Sequence, residues 1–208
     1  MNVPGVILAG GLATRMGGGD KSLVDLGGKP ILRHVIDRLT PQASPVALNA
    51  NGNPDRFSGW GFPVLPDSIE GYAGPLAGVL AGLDWASTLG ADAIVTVAAD
   101  TPFFPDDLVN RLDAARRSSG DPIALAASPD AGRKSGLGRH PTFGLWPVSL
   151  REDLRGALTD GLRKVVLWTD RHGCAIALFD PIGPDPFFNV NTPEDLAAAR
   201  ARLEAAQA

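Results

Sequence analysis

A three-layer α/β/α fold, built on a mostly parallel sheet with helices on both faces, is what the 208-residue sequence predicts. Three observations lead there. Short apolar runs alternate with stretches of helical spacing, the order that builds parallel strand–helix–strand units. The run 93–98, Ala-Ile-Val-Thr-Val-Ala, is almost continuously apolar, as a strand buried on both faces requires. A glycine-rich stretch, residues 8–21, follows the first apolar run directly, where open α/β sheets place their ligand-binding loops.

Taken in order, residues 3–8 read as the first strand. Gly27-Gly28 marks a turn, and Pro30 suits the first position of a helix carrying Ile31, Leu32, Val35, Ile36 and Leu39 on one stripe. That helix stops before Pro41. Residues 46–48 form a second strand ending at Asn49 and Asn51, and residues 62–65 a third ending at Pro66-Asp67. Pro75 opens a helix over 75–85, and strand 93–98 ends at Asp100-Thr101-Pro102. Pro105, with Asp106 and Asp107 favouring the helix dipole, is expected to start the next helix.

The second half is less regular. Strands are expected at 123–127, 141–146 and 175–179, a polar loop at 128–138, and helices at 148–158 and 162–168. Thr192 and Pro193 supply an N-cap and a first helical residue for a last helix with Leu196, Ala199 and Leu203 on one stripe. One domain, 1–208, accommodates all of this, with 1–120 and 121–208 as its two halves.

Composition excludes several classes. A net charge of −4 gives no support for a nucleic-acid or membrane-surface binder. One cysteine, Cys174, excludes an intramolecular disulfide framework and fits a reducing compartment. No signal-like amino terminus or membrane-spanning run is visible, so a cytoplasmic protein is expected.

The chemistry concentrates in residues 8–21, where five of fourteen residues are glycine and Arg15 and Lys21 add cations. Free backbone N–H groups and two cations select anionic oxygens, phosphate above all. The loop is no P-loop, because Asp20 stands before Lys21 where that motif has glycine, and the dinucleotide spacing Gly-x-Gly-x-x-Gly is also missing. Further polar groups follow the other strands: Asn49 with Asn51, Asp67, and Asp100. In a parallel sheet these converge on one edge. Asp100 suits a Mg²⁺ ligand or a helix cap; Asp67 suits a ribose or base acceptor, or a plain turn. Asn189 and Asn191 fit equally an entry to the Thr192 cap.

Together these residues resemble a family. Leu8-Ala9-Gly10-Gly11 with Arg15-Met16-Gly17 and Asp20-Lys21 is the signature of Rossmann-like nucleotidyltransferases. With Asn49-Ala50-Asn51, Pro66-Asp67, Gly74-Pro75-Leu76-Ala77-Gly78, Asp100-Thr101-Pro102, His140-Pro141-Thr142 and the run 189–194, the chain is similar to the molybdenum cofactor guanylyltransferases from first strand to last helix. No motif of 128–139 matches.

The resemblance implies transfer of GMP from GTP to the terminal phosphate of molybdopterin, with release of pyrophosphate. It implies that Leu8, Ala9, Gly10, Gly11, Lys21, Asn49, Asp67 and Asp100 bind GTP, that Arg15, Lys21 and Asp100 are catalytic, and that Asp100 holds Mg²⁺. Asn189 and Asn191 fall on the acceptor side, and molybdenum-insertion and molybdoenzyme-maturation proteins are implied as partners. The chemistry is consistent with the residues, since a phosphate nucleophile is already anionic and needs no general base. Two readings compete: a related enzyme using CTP or acting on sugar phosphates, and a non-catalytic carrier of the pterin.

Overall fold

The structure, a computed structural model, describes residues 3–10, 20–69, 71, 74–180 and 183–207. Its centre is a seven-stranded sheet of order β5-β4-β1-β6-β8-β7-β9, made of β1 (Gly5–Leu8), β4 (Val46–Asn49), β5 (Val64–Leu65), β6 (Ala93–Ala98), β7 (Ile123–Pro129), β8 (Leu137–Pro147) and β9 (Cys174–Leu178). β1 pairs in parallel with β4 and β6, β4 with β5, and β7 with β9. β8 alone in this sheet runs antiparallel, wedged between β6 and β7. A two-stranded hairpin, β2 (Asp25–Leu26) with β3 (Lys29–Pro30), stands apart.

Alternation along each strand sends side chains to opposite faces. In β1, Val6 packs with one layer and Ile7 with the other; in β6, Ile94 and Val95 divide the same way. One face is covered by α1 (Ile31–Leu39) and α3 (Leu108–Ser119), through Leu32, Val35, Ile36, Leu108 and Leu112. The other carries α2 (Pro75–Thr88), α4 (Arg151–Thr159) and α5 (Val165–His172), through Leu76, Leu80, Leu83, Leu154 and Trp168. The expected three layers are therefore present. The last helix, α6 (Pro193–Gln207), packs Ala199, Leu196 and Leu203 with Leu26, Ile31 and Phe103 in a third, smaller cluster beside the hairpin.

Several boundaries differ from expectation, each for a local reason. Pro30 precedes its helix: Gly27 and Gly28, at φ +66° and +84°, close a tight hairpin turn that draws Lys29–Pro30 into pairing with Asp25–Leu26. The helix expected from Pro105 starts at Leu108, because Pro105 O accepts bonds from Gln42 Nε2 and Leu108 N instead of opening a regular turn. The strand at 62–65 shortens to two residues, preceded by an unanticipated 3-10 turn, Pro54–Trp60, capped by Asn53. The loop at 128–138 narrows to 130–136, since β7 and β8 run further than their apolar cores. Helix 148–158 divides into a 3-10 turn, Val148–Leu150, and α4; the helix expected at 162–168 begins only at Val165, since Leu162 N still bonds back to Ala157 O.

Candidate active site

The C-terminal ends of β5, β4, β1 and β6 open into a cavity of about 1,030 Å³ whose wall includes Leu8, Gly10, Asn49, Asp67, Asp100 and Asn189. The sheet order explains the convergence: neighbouring parallel strands end side by side, so groups far apart in sequence share one edge. Ala9 is buried next to it, its N–H donated to Asn49 O at 2.8 Å. Arg15 and Gly11 lie outside the described residues.

One end of the cavity is an amide–carboxylate cluster. Asn49 Nδ2 donates to Asp67 Oδ1 at 2.9 Å and to Leu65 O at 3.1 Å. Asn51 Nδ2 donates to Asp67 Oδ2 at 2.7 Å, and Asn51 Oδ1 accepts from Asp67 N at 2.8 Å. Asn49 is only 4% exposed, and α2 passes it at Gly78, where an added Cβ would lie 2.2 Å from Asn49 Oδ1. Glycine is therefore a steric requirement at that position.

The other end is a lysine cradle. Lys21, 9% exposed, sends Nζ to Asp100 Oδ2 at 2.7 Å and to Asn191 Oδ1. Asp100 lies just past β6; its carbonyl accepts from Val190 N at 2.9 Å, and Thr101 Oγ1, with one hydrogen to donate, lies within hydrogen-bond reach of both its Oδ1 and Asn189 Oδ1. Asn191 is fixed by the entry to α6. Asp195 Oδ2 accepts from Asn191 N and Thr192 N, both at 2.9 Å, while Thr192 Oγ1 accepts from Asp195 N at 3.1 Å. The Asn191 amide, first among these, draws the Asp195 carboxyl below its ordinary value. Asp20, which argues against a P-loop, pairs with Arg56 at 2.5 Å.

Asp100 and Lys21 thus come together with Asn191 and, through Thr101, Asn189. Asn49 and Asp67 sit at the opposite end of the same cavity. The sequence did not reveal that Asn51 and Asn49 jointly hold Asp67, that Asp195 anchors the lysine cradle, or that Thr142 of β8 enters the cavity wall. Arg133 and Arg139 are paired with Asp130 and Asp170. His140 bonds Ser128 Oγ at 2.8 Å and stacks on Phe187, and burial lowers its pKa, which keeps the imidazole neutral at pH 7.

No group of three or more His, Cys, Asp and Glu side chains with metal-site geometry occurs among the described residues. The Asp100 carboxylate in the cavity wall is the kind of hard oxygen donor that Mg²⁺ takes together with substrate phosphates, so Asp100 fits that ion.

Comparison with known proteins places these features in context. Residues 5–173 match the family described as the MobA-like NTP transferase domain. A molybdenum cofactor guanylyltransferase of Bradyrhizobium sp. (strain ORS 278) is 52% identical, over 95% of this chain and 91% of that protein. Another, from Rhodopseudomonas palustris (strain BisB5), is 54% identical over 94% and 91%. Among solved structures, molybdopterin-guanine dinucleotide biosynthesis protein A of Archaeoglobus fulgidus superposes with a TM-score of 0.76 at 20% identity, covering 98% of this chain and 100% of that one. A CMP-2-keto-3-deoxy-manno-octonic acid synthetase in complex with CTP shares the fold at TM-score 0.68 and 16% identity, covering 100% and 99%.

Proposed function

The chain belongs to the MobA-like NTP transferase family and is a nucleotidyltransferase, and from that premise we propose that it transfers GMP from GTP to the terminal phosphate of molybdopterin. The observation that carries the reading is the lysine cradle: Lys21 Nζ, held between Asp100 and Asn191, sits beside one cavity whose far end is the Asn49–Asp67 cluster. On this reading GTP lays its nucleoside at Asp67 and Asn49 and its phosphates at Lys21, Asp100, Leu8 and Gly10. Asn189 and Asn191 then face the acceptor.

In the reaction an oxygen of the acceptor phosphate attacks the α-phosphorus of GTP. A new phosphorus–oxygen bond forms, the bond to the β-phosphate bridging oxygen breaks, and pyrophosphate leaves with the electron pair. No proton has to be removed from the nucleophile. The barrier is the approach of two anions, so positioning and positive charge carry the catalysis. Lys21 supplies a cation whose direction is fixed before substrate arrives, and Arg15, six positions earlier in the sequence, would add a second. Asp100 would hold Mg²⁺, which would supply positive charge against that of the phosphates.

The guanine nucleotide of this reading rests on the named relatives, since cytidylyl enzymes share the fold. The reading also implies a cytoplasmic enzyme with molybdenum-insertion and molybdoenzyme-maturation proteins as partners. No helix among the described residues is long and apolar enough to cross a membrane.

The test is incubation with molybdopterin, Mg²⁺ and competing GTP and CTP, followed by identification of the attached nucleotide. Guanine dinucleotide with stoichiometric pyrophosphate supports the proposal; a cytosine product, or bound pterin with no pyrophosphate, overturns it. Asp100→Ala should abolish the Mg²⁺-dependent transfer in a folded protein. Near-normal turnover would remove Asp100 from the mechanism.

A further inference from the structure

The ladder between β7 and β8 is broken in one place. Leu125 faces Gly144, but its neighbour Ala126 faces His140, so residues 141–143 of β8 are looped out against a single step of β7. Extra residues of this kind re-aim side chains and are common beside active sites. Here the bulge brings Thr142 into the cavity wall with Asp100 and Asn189.

The bulge is fastened at both ends. On one side, Trp146 Nε1 donates to Thr96 Oγ1 at 2.8 Å, and Thr96 Oγ1 donates to Thr142 O at 2.9 Å. Thr96 and Trp146 are fully buried, so each donor is spent inside the protein. Gly144 makes room for the relay, since a Cβ there would lie 2.7 Å from the Trp146 ring. On the other side, His140 is held by Ser128 at 2.8 Å and stacked on Phe187 at 4.0 Å between ring centres.

The Thr142 carbonyl is thus committed, whereas its half-buried hydroxyl meets no hydrogen-bond partner among the described residues. A rigidly presented hydroxyl in a cavity wall, with no partner among the described residues, is available to a ligand. Its place in the sheet says which ligand. Asp67, Asn49 and Leu8 follow β5, β4 and β1, Asp100 follows β6, and Thr142 belongs to β8 on the far side of β6. The nucleoside end and Thr142 therefore flank Asp100.

Resting on the acceptor assignment above, we infer that Thr142 is a contact residue for the acceptor's phosphate group, donating its hydroxyl hydrogen to a phosphate oxygen, and that Thr96 is its positioning residue. No covalent step is involved. The hydroxyl adds a donor where Lys21 is already shared between Asp100 and Asn191.

The test uses Thr142→Val, which keeps the β-branched shape and removes the hydroxyl. Binding of molybdopterin and of GTP is measured separately by calorimetry, with steady-state kinetics alongside. A hydrogen bond to a charged group is worth about 10- to 100-fold in affinity, so acceptor affinity should fall by roughly that factor with GTP affinity unchanged. Thr142→Ser should recover most of the loss. Thr96→Val should reproduce the acceptor defect, and Thr96→Ser should rescue it; a merely structural role would move both substrates together. Wild-type binding of molybdopterin without turnover removes the proposed reaction and leaves this inference standing. Unchanged acceptor affinity in folded Thr142→Val overturns the inference whether or not the wild type turns over, and a wild-type chain that does not bind the acceptor overturns both.

Discussion

Gly78→Ala isolates the role of the Asn49–Asp67 cluster. The new Cβ would lie 2.2 Å from Asn49 Oδ1 and 2.8 Å from Leu8 Cδ2, so Asn49 has to withdraw by about an ångström. That motion breaks its bonds to Asp67 and Leu65 O. Overpacking costs about 1–3 kcal/mol, and alanine in place of helical glycine returns about 1 kcal/mol. The net loss is then about 0–2 kcal/mol, a fall in Tm of roughly 0–8 °C for a chain of this size. Stability is thus a weak discriminator, and nucleotide binding is the strong one. Releasing Asp67 from a charged hydrogen bond worth about 1.5–3 kcal/mol should raise KM for GTP about 10- to 100-fold. Gly82→Ala, one turn along the same helix, is the control: its Cβ would meet Ile94 Cδ1 and Val6 Cγ2 at 2.8 Å, deep in the core. It should lower Tm comparably and leave KM for GTP alone. Equal KM in both variants, measured by pyrophosphate release, would refute the claim that Asn49 and Asp67 form the nucleoside end.

Three other outcomes are expected. Lys21→Ala should reduce kcat about 100- to 1000-fold with a smaller effect on acceptor binding, and unchanged kinetics would remove the cradle from catalysis. The amides of Asn191 and Thr192 hold the Asp195 carboxyl below the ordinary 3.8, so its contribution is complete above that value and is lost as pH falls through the lower folded-state value. Asp195→Asn should therefore flatten the acid limb of the stability profile while lowering kcat near neutrality; an unaltered acid limb contradicts this. Burial pushes the Cys174 thiol up to about 11, against 9.0 for a free one, so alkylation at pH 8 should run about 100-fold slower than that of a free thiol. Labelling at the free-thiol rate would show the residue open to solvent.

The parallel half of the fold was readable because its signals are strong and local. Residues 93–98 were recovered residue for residue, since a strand buried on both faces is apolar almost throughout, Thr96 being its one polar residue. The direction of β8 was hidden, because alternation records which face a residue takes and carries no direction. Pro105 misled because a proline marks a favourable helix start only where nothing else engages its carbonyl, and Gln42, 63 positions earlier, does. In the site, Lys21, Asn49, Asp67 and Asp100 were legible from their places after strands. Asn51 was visible beside Asn49, and Thr142 within the His140-Pro141-Thr142 run, but what they and Asp195 hold was not: Asp67, a bulge created by pairing between β7 and β8, and the Asn191 amide.

The lysine cradle also has an order of assembly. Lys21 lies about a tenth of the way along the chain, and its partner Asn191 follows 170 positions later, past every strand of the sheet. A chain emerging from the ribosome possesses all the strands before it possesses the residue that completes the grip on its lysine. Contacts of such long span form late, after the loop they close has been ordered by other interactions. Translation stopped at Phe188 would leave Lys21 with Asp100 alone and Asp100 O without Val190 N. Competence therefore waits on the final helix, and a nascent chain with a finished sheet does not yet have a finished active site.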